Sequence, residues 1–310
     1  MSRKRDRRKG PPNRRADPPE VAAPTAPPPE RRSRGILRDP GVSPVPAFGV
    51  TIRAAARAVL TSPAVLALAL LAPLAFWGIF VALGVEPLPP NMVMLVALPP
   101  VNVSLDASLV ALGAESGIAS TAQILGAAAL RAGFIALLSV LILRRLDDSA
   151  SGDIVRRLPR VAWVLFLVLA VEFALVFLVP IVLQAFGGPA LYQIGILAAI
   201  ILGLHYLGFA LVIPAAEERV APADALRLSA RASRFPGPRH LLLVVAYFSF
   251  VFWASSIVPV GEGAPVTPAP VVWAFALVAA VVHAIVLAAF AVRWLAVRDQ
   301  VPRGSRRAAA

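Results

Sequence analysis

Six apolar stretches, each about 20 residues long, dominate the chain, at about 64–85, 122–143, 161–183, 191–214, 241–260 and 271–297. A helix of that length crosses a hydrocarbon core of about 30 Å, and a helix satisfies its own backbone where no water is present to do so. Before the first, third and fifth stretches the pattern changes to arginine and apolar residues at helical spacing. In 49–62, Arg53 and Arg57 lie on one side, with Ile52, Ala56, Val59 and Leu60 on the other. In SGDIVRRLPR, Ile154 and Leu158 lie beneath Arg156, Arg157 and Arg160. In 221–235, Asp224, Arg227, Arg231 and Arg234 share one face, opposite Leu228, Ala232 and Phe235. Such segments read as helices lying on a membrane surface and feeding a span. The expected fold is all-α: a polytopic transmembrane helical bundle, six spans as three hairpins, with cytoplasmic amphipathic interfacial helices. The three preludes also repeat in layout.

Local breakers divide these elements. Pro73 and Gly78 predict a kink in the first span, Gly187-Gly188-Pro189 a tight turn between the third and fourth, and Pro236 and Pro238 the end of the third surface helix. Residues 86–121 form the longest connection and contain Glu86, Asp106 and Glu115 but no Lys or Arg. MVMLVAL at 92–98 is too short to cross. Asn102-Val103-Ser104 fits the glycosylation tripeptide, a pattern common by chance. Residues 1–47 hold twelve Lys or Arg and eleven Pro, with almost no large apolar residue before Ile36. They predict a disordered basic cytoplasmic tail, and they lack the apolar core of a cleaved signal peptide. The membrane domain is 48–297, and 298–310 is a second basic tail.

Charge placement orients the bundle. Of thirty Lys and Arg, all but Arg131 and Arg293 fall in the N-terminal tail and first surface helix, the 144–160 and 217–240 connectors, or the C-terminal end. Cationic side chains stay on the cytoplasmic side, so both termini are expected inside a cell membrane. Arg293 lies near the inner end of the sixth span, where it can snorkel to the surface. The net charge of +13 is thus explained without nucleic acid, for which no base-reading module is present. A chain that is 58% apolar and 15% charged is outside the range of ordinary soluble domains. The absence of cysteine excludes disulfides and thiolate sites.

Polar residues inside spans are the candidate sites. Arg131 and Glu172 both fall near the expected midplane of adjacent spans, where an unpaired charge costs about 2.5 kcal/mol or more. They are expected to form an intramembrane ion pair, either structural or linked to a proton or substrate. His205 and His283 are intramembrane polar residues expected to bond to neighbouring helices. Without a carboxylate cluster they make no metal site. No hydrolase, P-loop, dinucleotide-binding or metalloprotease motif is present, so no catalytic residue and no cofactor is assigned. Anionic lipid headgroups are the expected contacts of Arg53, Arg57, Arg156, Arg157, Arg227, Arg231 and Arg234.

Pro222, Ala225, Leu226, Arg227, Ser229 and Arg234 before one span, the IVRRLPR segment before another and the opening TIRAAARAVLTSPAVLALALL resemble the membrane domain of glycerophosphoryl diester phosphodiesterases and its six-span bacterial relatives. The resemblance covers about residues 48–297. It implies a helical membrane module without activity of its own, because the soluble barrel that carries the chemistry in those enzymes has no counterpart here. The functional expectation is a non-catalytic protein that binds an anionic lipid surface or scaffolds a second membrane protein. The alternative is a small transporter or permease component with a polar path past Arg131, Glu172, His205 or His283.

Overall fold

The computed structural model describes residues 45–82, 118–147, 154–235, 238–257 and 268–301, all within one compact unit, Asp39–Ala310. These residues are helical, with no strand among them. The elements are α1 (Phe48–Leu60), α2 (Pro63–Ala82), α3 (Ile118–Leu146), α4 (Ile154–Leu207), a 3-10 turn (Gly208–Leu211), α5 (Ile213–Ala216), α6 (Pro222–Ala232), α7 (Pro238–Ile257) and α8 (Ala269–Val297). The expectations for 1–44, for the 86–117 connection and for the tail beyond Val301 lie outside the described residues.

Sequence punctuation explains the element ends. Pro63 opens α2, Pro222 opens α6 and Pro238 opens α7, positions where a missing N–H costs nothing. Gly188 interrupts α4 with φ of 75° and ψ of −166°, a conformation essentially restricted to glycine. A straight helix of 54 residues would hold its ends about 80 Å apart. Instead Arg157, in the first turns of α4, pairs with Glu218, beyond its last turn. The chain therefore reverses near Gly188, and α4 is a hairpin of two helical arms. Pro73 sits inside α2.

One difference from the sequence reading concerns 154–160. These residues are continuous with the apolar arm that follows, so the second surface segment is the first two turns of α4 rather than a separate helix. Pro159, in the second turn, removes one backbone bond without ending the helix.

Many helix ends meet at one end of the bundle. Arg298, just past α8, pairs with Asp147, just past α3, at 3.1 Å. Ser139 of α3 donates to the Leu211 carbonyl at 3.2 Å, tying α3 to the turn after α4. His240, at the start of α7, reaches the His205 carbonyl in the last turns of α4. α1 packs along α8 and α6 along α4. The axes of α1 and the first part of α2 meet at 85°, so α1 lies across the direction of the helix it feeds.

The buried faces of α1 and α6 are narrower and smaller than their hydrophobic patterns indicate. α1 buries Thr51, Ala55, Ala58 and Val59, while Ile52 and Ala56 are half-buried and Leu60 is exposed. α6 buries Ala225, Ser229 and Ala232, with Leu228 half-buried and Phe235 exposed. Small side chains let each short helix approach the bundle closely.

Among the described residues one helix, Trp273–Val297, is long and apolar enough to cross a membrane, or two if α1 and the Pro63–Ala75 part of α2 count as one bent span. Ile201–Ala216 and His240–Phe250 are shorter apolar helices.

Candidate functional site

Two buried polar clusters and an exposed set of arginines carry the chemistry. The first cluster lies where α1, α4, α7 and α8 meet. Arg293, in the penultimate turn of α8, is 0% exposed. It does not snorkel; local partners hold it inside. Its Nε is 3.5 Å from Thr51 Oγ1 on α1, and its Nη1 is 3.4 Å from Nδ1 of His240 on α7. The Thr51 hydroxyl reaches the Ala47 carbonyl at 3.2 Å, so its proton goes there and its lone pairs face the guanidinium.

His240 is also fully buried. A carbonyl only accepts, so the 3.1 Å contact to His205 O puts the ring proton on Nε2. A guanidinium only donates, so Nδ1 must offer its lone pair to Arg293. The ring is thereby the neutral Nε2–H tautomer. It stacks on Phe209 at 4.6 Å and 10°, and Phe290 meets it edge-on at 5.6 Å. Gly208 makes room for this stack: a Cβ there would come within 2.5 Å of the Phe290 ring.

The imidazole of His205 stands beside this cluster, 5.1 Å from His240 by ring centroids and edge-on to Tyr206. What the protein uses is the His205 backbone carbonyl. The buried Nδ1 of the side chain has no hydrogen-bond partner among the described residues, and neither has Trp294 Nε1.

The second cluster joins α3, α7 and α8. His283 Nδ1 and Tyr247 Oη are 2.7 Å apart, both side chains buried. The buried Arg131 guanidinium lies close enough for its charge to act on the His283 ring. The expected partner, Glu172, belongs to α4, but its side chain lies outside the described residues. The sequence located His283 without naming a partner, and the structure pairs it with Tyr247. Among the described residues no three His, Asp or Glu side chains converge as metal ligands would.

The arginines expected on surface helices are at or near the surface. Arg53, Arg57, Arg156, Arg227, Arg231 and Arg234 are exposed. Arg157 is half-buried against Glu218, and Arg160 donates to the backbone carbonyls of Glu218 and, at 3.5 Å, Val220. Arg227 pairs with Asp224 at 3.6 Å, a contact between exposed groups worth little.

The sequence singled out Ser229 only as part of a motif and gave it no role. Its hydroxyl donates to the Tyr206 carbonyl at 2.7 Å and accepts from the Ala210 N–H at 3.0 Å. It thus satisfies two backbone groups freed where α4 passes into the 3-10 turn. The signal was a serine among alanines on the side of α6 away from its arginines.

Comparison with models of known families, with characterised proteins and with solved structures returns no match.

Proposed function

We propose that this chain is a non-catalytic integral membrane module of the cell membrane, with six spans in three hairpins and both termini cytoplasmic, whose basic end binds anionic lipid or scaffolds a partner there. The observation that carries this reading is the gathering of helix ends. The ends of α3 and α8, both ends of the α4 hairpin and the start of α7 meet in one layer, and α1 turns by 85° into it. Exposed arginines decorate this layer. A bundle crossing a bilayer needs this arrangement: apolar shafts on one side of a plane, cations on the other.

The test uses the full chain in lipid nanodiscs, made with phosphatidylcholine alone or with added phosphatidylglycerol. Phosphatidylglycerol is expected to raise the melting temperature, and replacing Arg227, Arg231 and Arg234 together with Gln is expected to remove part of that gain. No gain for the unaltered chain overturns the lipid reading. Topology is tested separately. The chain has no native cysteine, so single cysteines at Asp106 and Glu218 can be labelled in intact cells. An impermeant reagent added outside is expected to reach the first and not the second.

A second reading, a transporter or permease component, draws on the buried Tyr247–His283 contact beside Arg131. It requires a substrate path past these groups. Uptake of a labelled solute into proteoliposomes, abolished by Tyr247→Phe, would favour it.

A further inference from the structure

The three surface segments share more than layout. Ile52-Arg53-x-x-Ala56-Arg57, Val155-Arg156-x-x-Pro159-Arg160 and Leu226-Arg227-x-x-Ala230-Arg231 are the same six-residue pattern: an aliphatic residue, arginine, two variable positions, Ala or Pro, then arginine. The next residue is small or β-branched in every copy: Ala58, Val161 and Ala232.

The structure gives each copy the same exposure. The six arginines are all exposed, and Ala58, Val161 and Ala232 are all buried. Each copy leads into a long apolar helix: α2, the body of α4, and α7. Each also exposes a large apolar side chain about one turn after its second arginine: Leu60 at 54%, Trp163 at 59% and Phe235 at 41%.

Arginines four residues apart on a helix stand one above the other, with Cβ atoms about 5–6 Å apart, and like charges so placed destabilise the helix. The same repulsion acts within each pair, offset in part in the third copy by Asp224, 3.6 Å from Arg227. An anion held between the two guanidiniums removes it. Guanidinium forks match phosphate oxygens. An exposed apolar side chain beside the fork fits an interface between headgroups and hydrocarbon.

We propose that the three Arg-x-x-x-Arg pairs are a threefold-repeated seat for lipid phosphodiesters at one end of the bundle. This rests on the membrane reading above and adds to it the triplication and the pairing. It also replaces Arg157 by Arg160 as the working partner of Arg156, because Arg157 is turned toward Glu218. The second seat is partly taken by the protein itself, since Arg160 donates to the carbonyls of Glu218 and Val220. It should bind lipid more weakly than the first and third.

The test uses the full chain in nanodiscs of phosphatidylcholine with increasing phosphatidylglycerol, reading the phosphatidylglycerol fraction that gives half-maximal thermal stabilisation. Three double variants are compared: R53Q/R57Q, R156Q/R160Q and R227Q/R231Q. The first and third are expected to raise the half-point by similar factors, about fivefold for each arginine removed, and the second by less. Arg→Lys doubles at the same sites keep the charge and report on the fork; they are expected to recover only part of the loss, whatever the Gln variants do to folding. A loss confined to R227Q/R231Q overturns the repeated-seat proposal and leaves the lipid reading standing. No effect from any pair, with the wild-type gain intact, also overturns it. Saturation of the seats by soluble glycerol phosphate alone assigns them to a free phosphate ester and overturns the lipid assignment.

Discussion

Thr51 and Arg293, 242 residues apart in sequence, meet in the buried seam between α1 and α8, with the Arg293 Nε 3.5 Å from the Thr51 hydroxyl. Both side chains are fully buried. The contact joins the first described helix to the last, and it sits beside the His240 ring that ties α7 to α4.

Thr51→Val keeps the shape and removes the acceptor. Hydrogen bonds to charged groups contribute about 1.5–3 kcal/mol, and 3.5 Å is long for one, so a loss of about 1 kcal/mol is expected. Thermal unfolding of the purified full chain in detergent measures it. Thr51→Ser should retain most of the stability, and Arg57→Gln, on the exposed side of the same helix, should change it by less than about 0.5 kcal/mol. A neutral Thr51→Val would mean that the seam is held by packing alone.

Helix positions were legible in the sequence because their signals are local. Arginine spacing placed α1 and α6, Pro236 and Pro238 marked the end of α6, and Gly187-Gly188-Pro189 marked the reversal inside α4. Inward faces were less legible. Hydrophobicity ranks Leu60 and Phe235 above Ala55 and Ser229, yet close packing of a short helix selects the small residues and leaves the large ones outside. The buried cluster was illegible for a different reason. Arg293 looked like a snorkelling end residue, because the groups that allow its burial, Thr51 and His240, lie 242 and 53 residues away. His240 itself reads as a residue flanking an apolar run until its two partners are in view.

The two neighbouring histidines should behave differently. His240→Phe preserves the stack on Phe209 but leaves the His205 carbonyl and one Arg293 N–H without their contacts to the ring. A buried group so stranded costs about 1–3 kcal/mol, and a loss of about 2 kcal/mol is expected. His205→Phe removes a ring nitrogen that has no partner among the described residues, and keeps the carbonyl that His240 uses. It should stay within about 1 kcal/mol of the parent. Unfolding midpoints of the two variants, measured side by side, check the contrast. A larger loss for His205→Phe would show that the His205 side chain holds the bundle through a contact of its own.

Ser229→Ala tests how the break after α4 is held. The hydroxyl serves the Tyr206 carbonyl and the Ala210 N–H together, and alanine strands both in a buried site. A loss of about 2 kcal/mol is expected. Hydrogen exchange at the Ala210 amide should quicken by more than exchange in the middle of α8, since the opening is local. Uniform quickening would place the effect in global stability instead.

Tyr247 and His283 form the contact that separates a packing role from a transport role. Tyr247→Phe removes one hydroxyl from a 2.7 Å contact inside the bundle. Polar contacts between membrane helices couple by about 0.6 kcal/mol on average and at most about 1.7. In the proposed membrane module, a double-mutant cycle with Tyr247→Phe and His283→Phe should return a coupling in that range by thermal unfolding. The Arg131 charge beside the ring is a further term, so the cycle is repeated in an Arg131→Gln background. If the Arg131 charge polarises the ring, the coupling should change there; an unchanged value would place Arg131 outside the cluster. A coupling near zero in the parent chain, with phosphatidylglycerol stabilisation intact, would remove the structural role from this pair. The buried hydroxyl, imidazole and guanidinium would then need another purpose, and the proteoliposome uptake assay becomes the experiment that decides between the two readings.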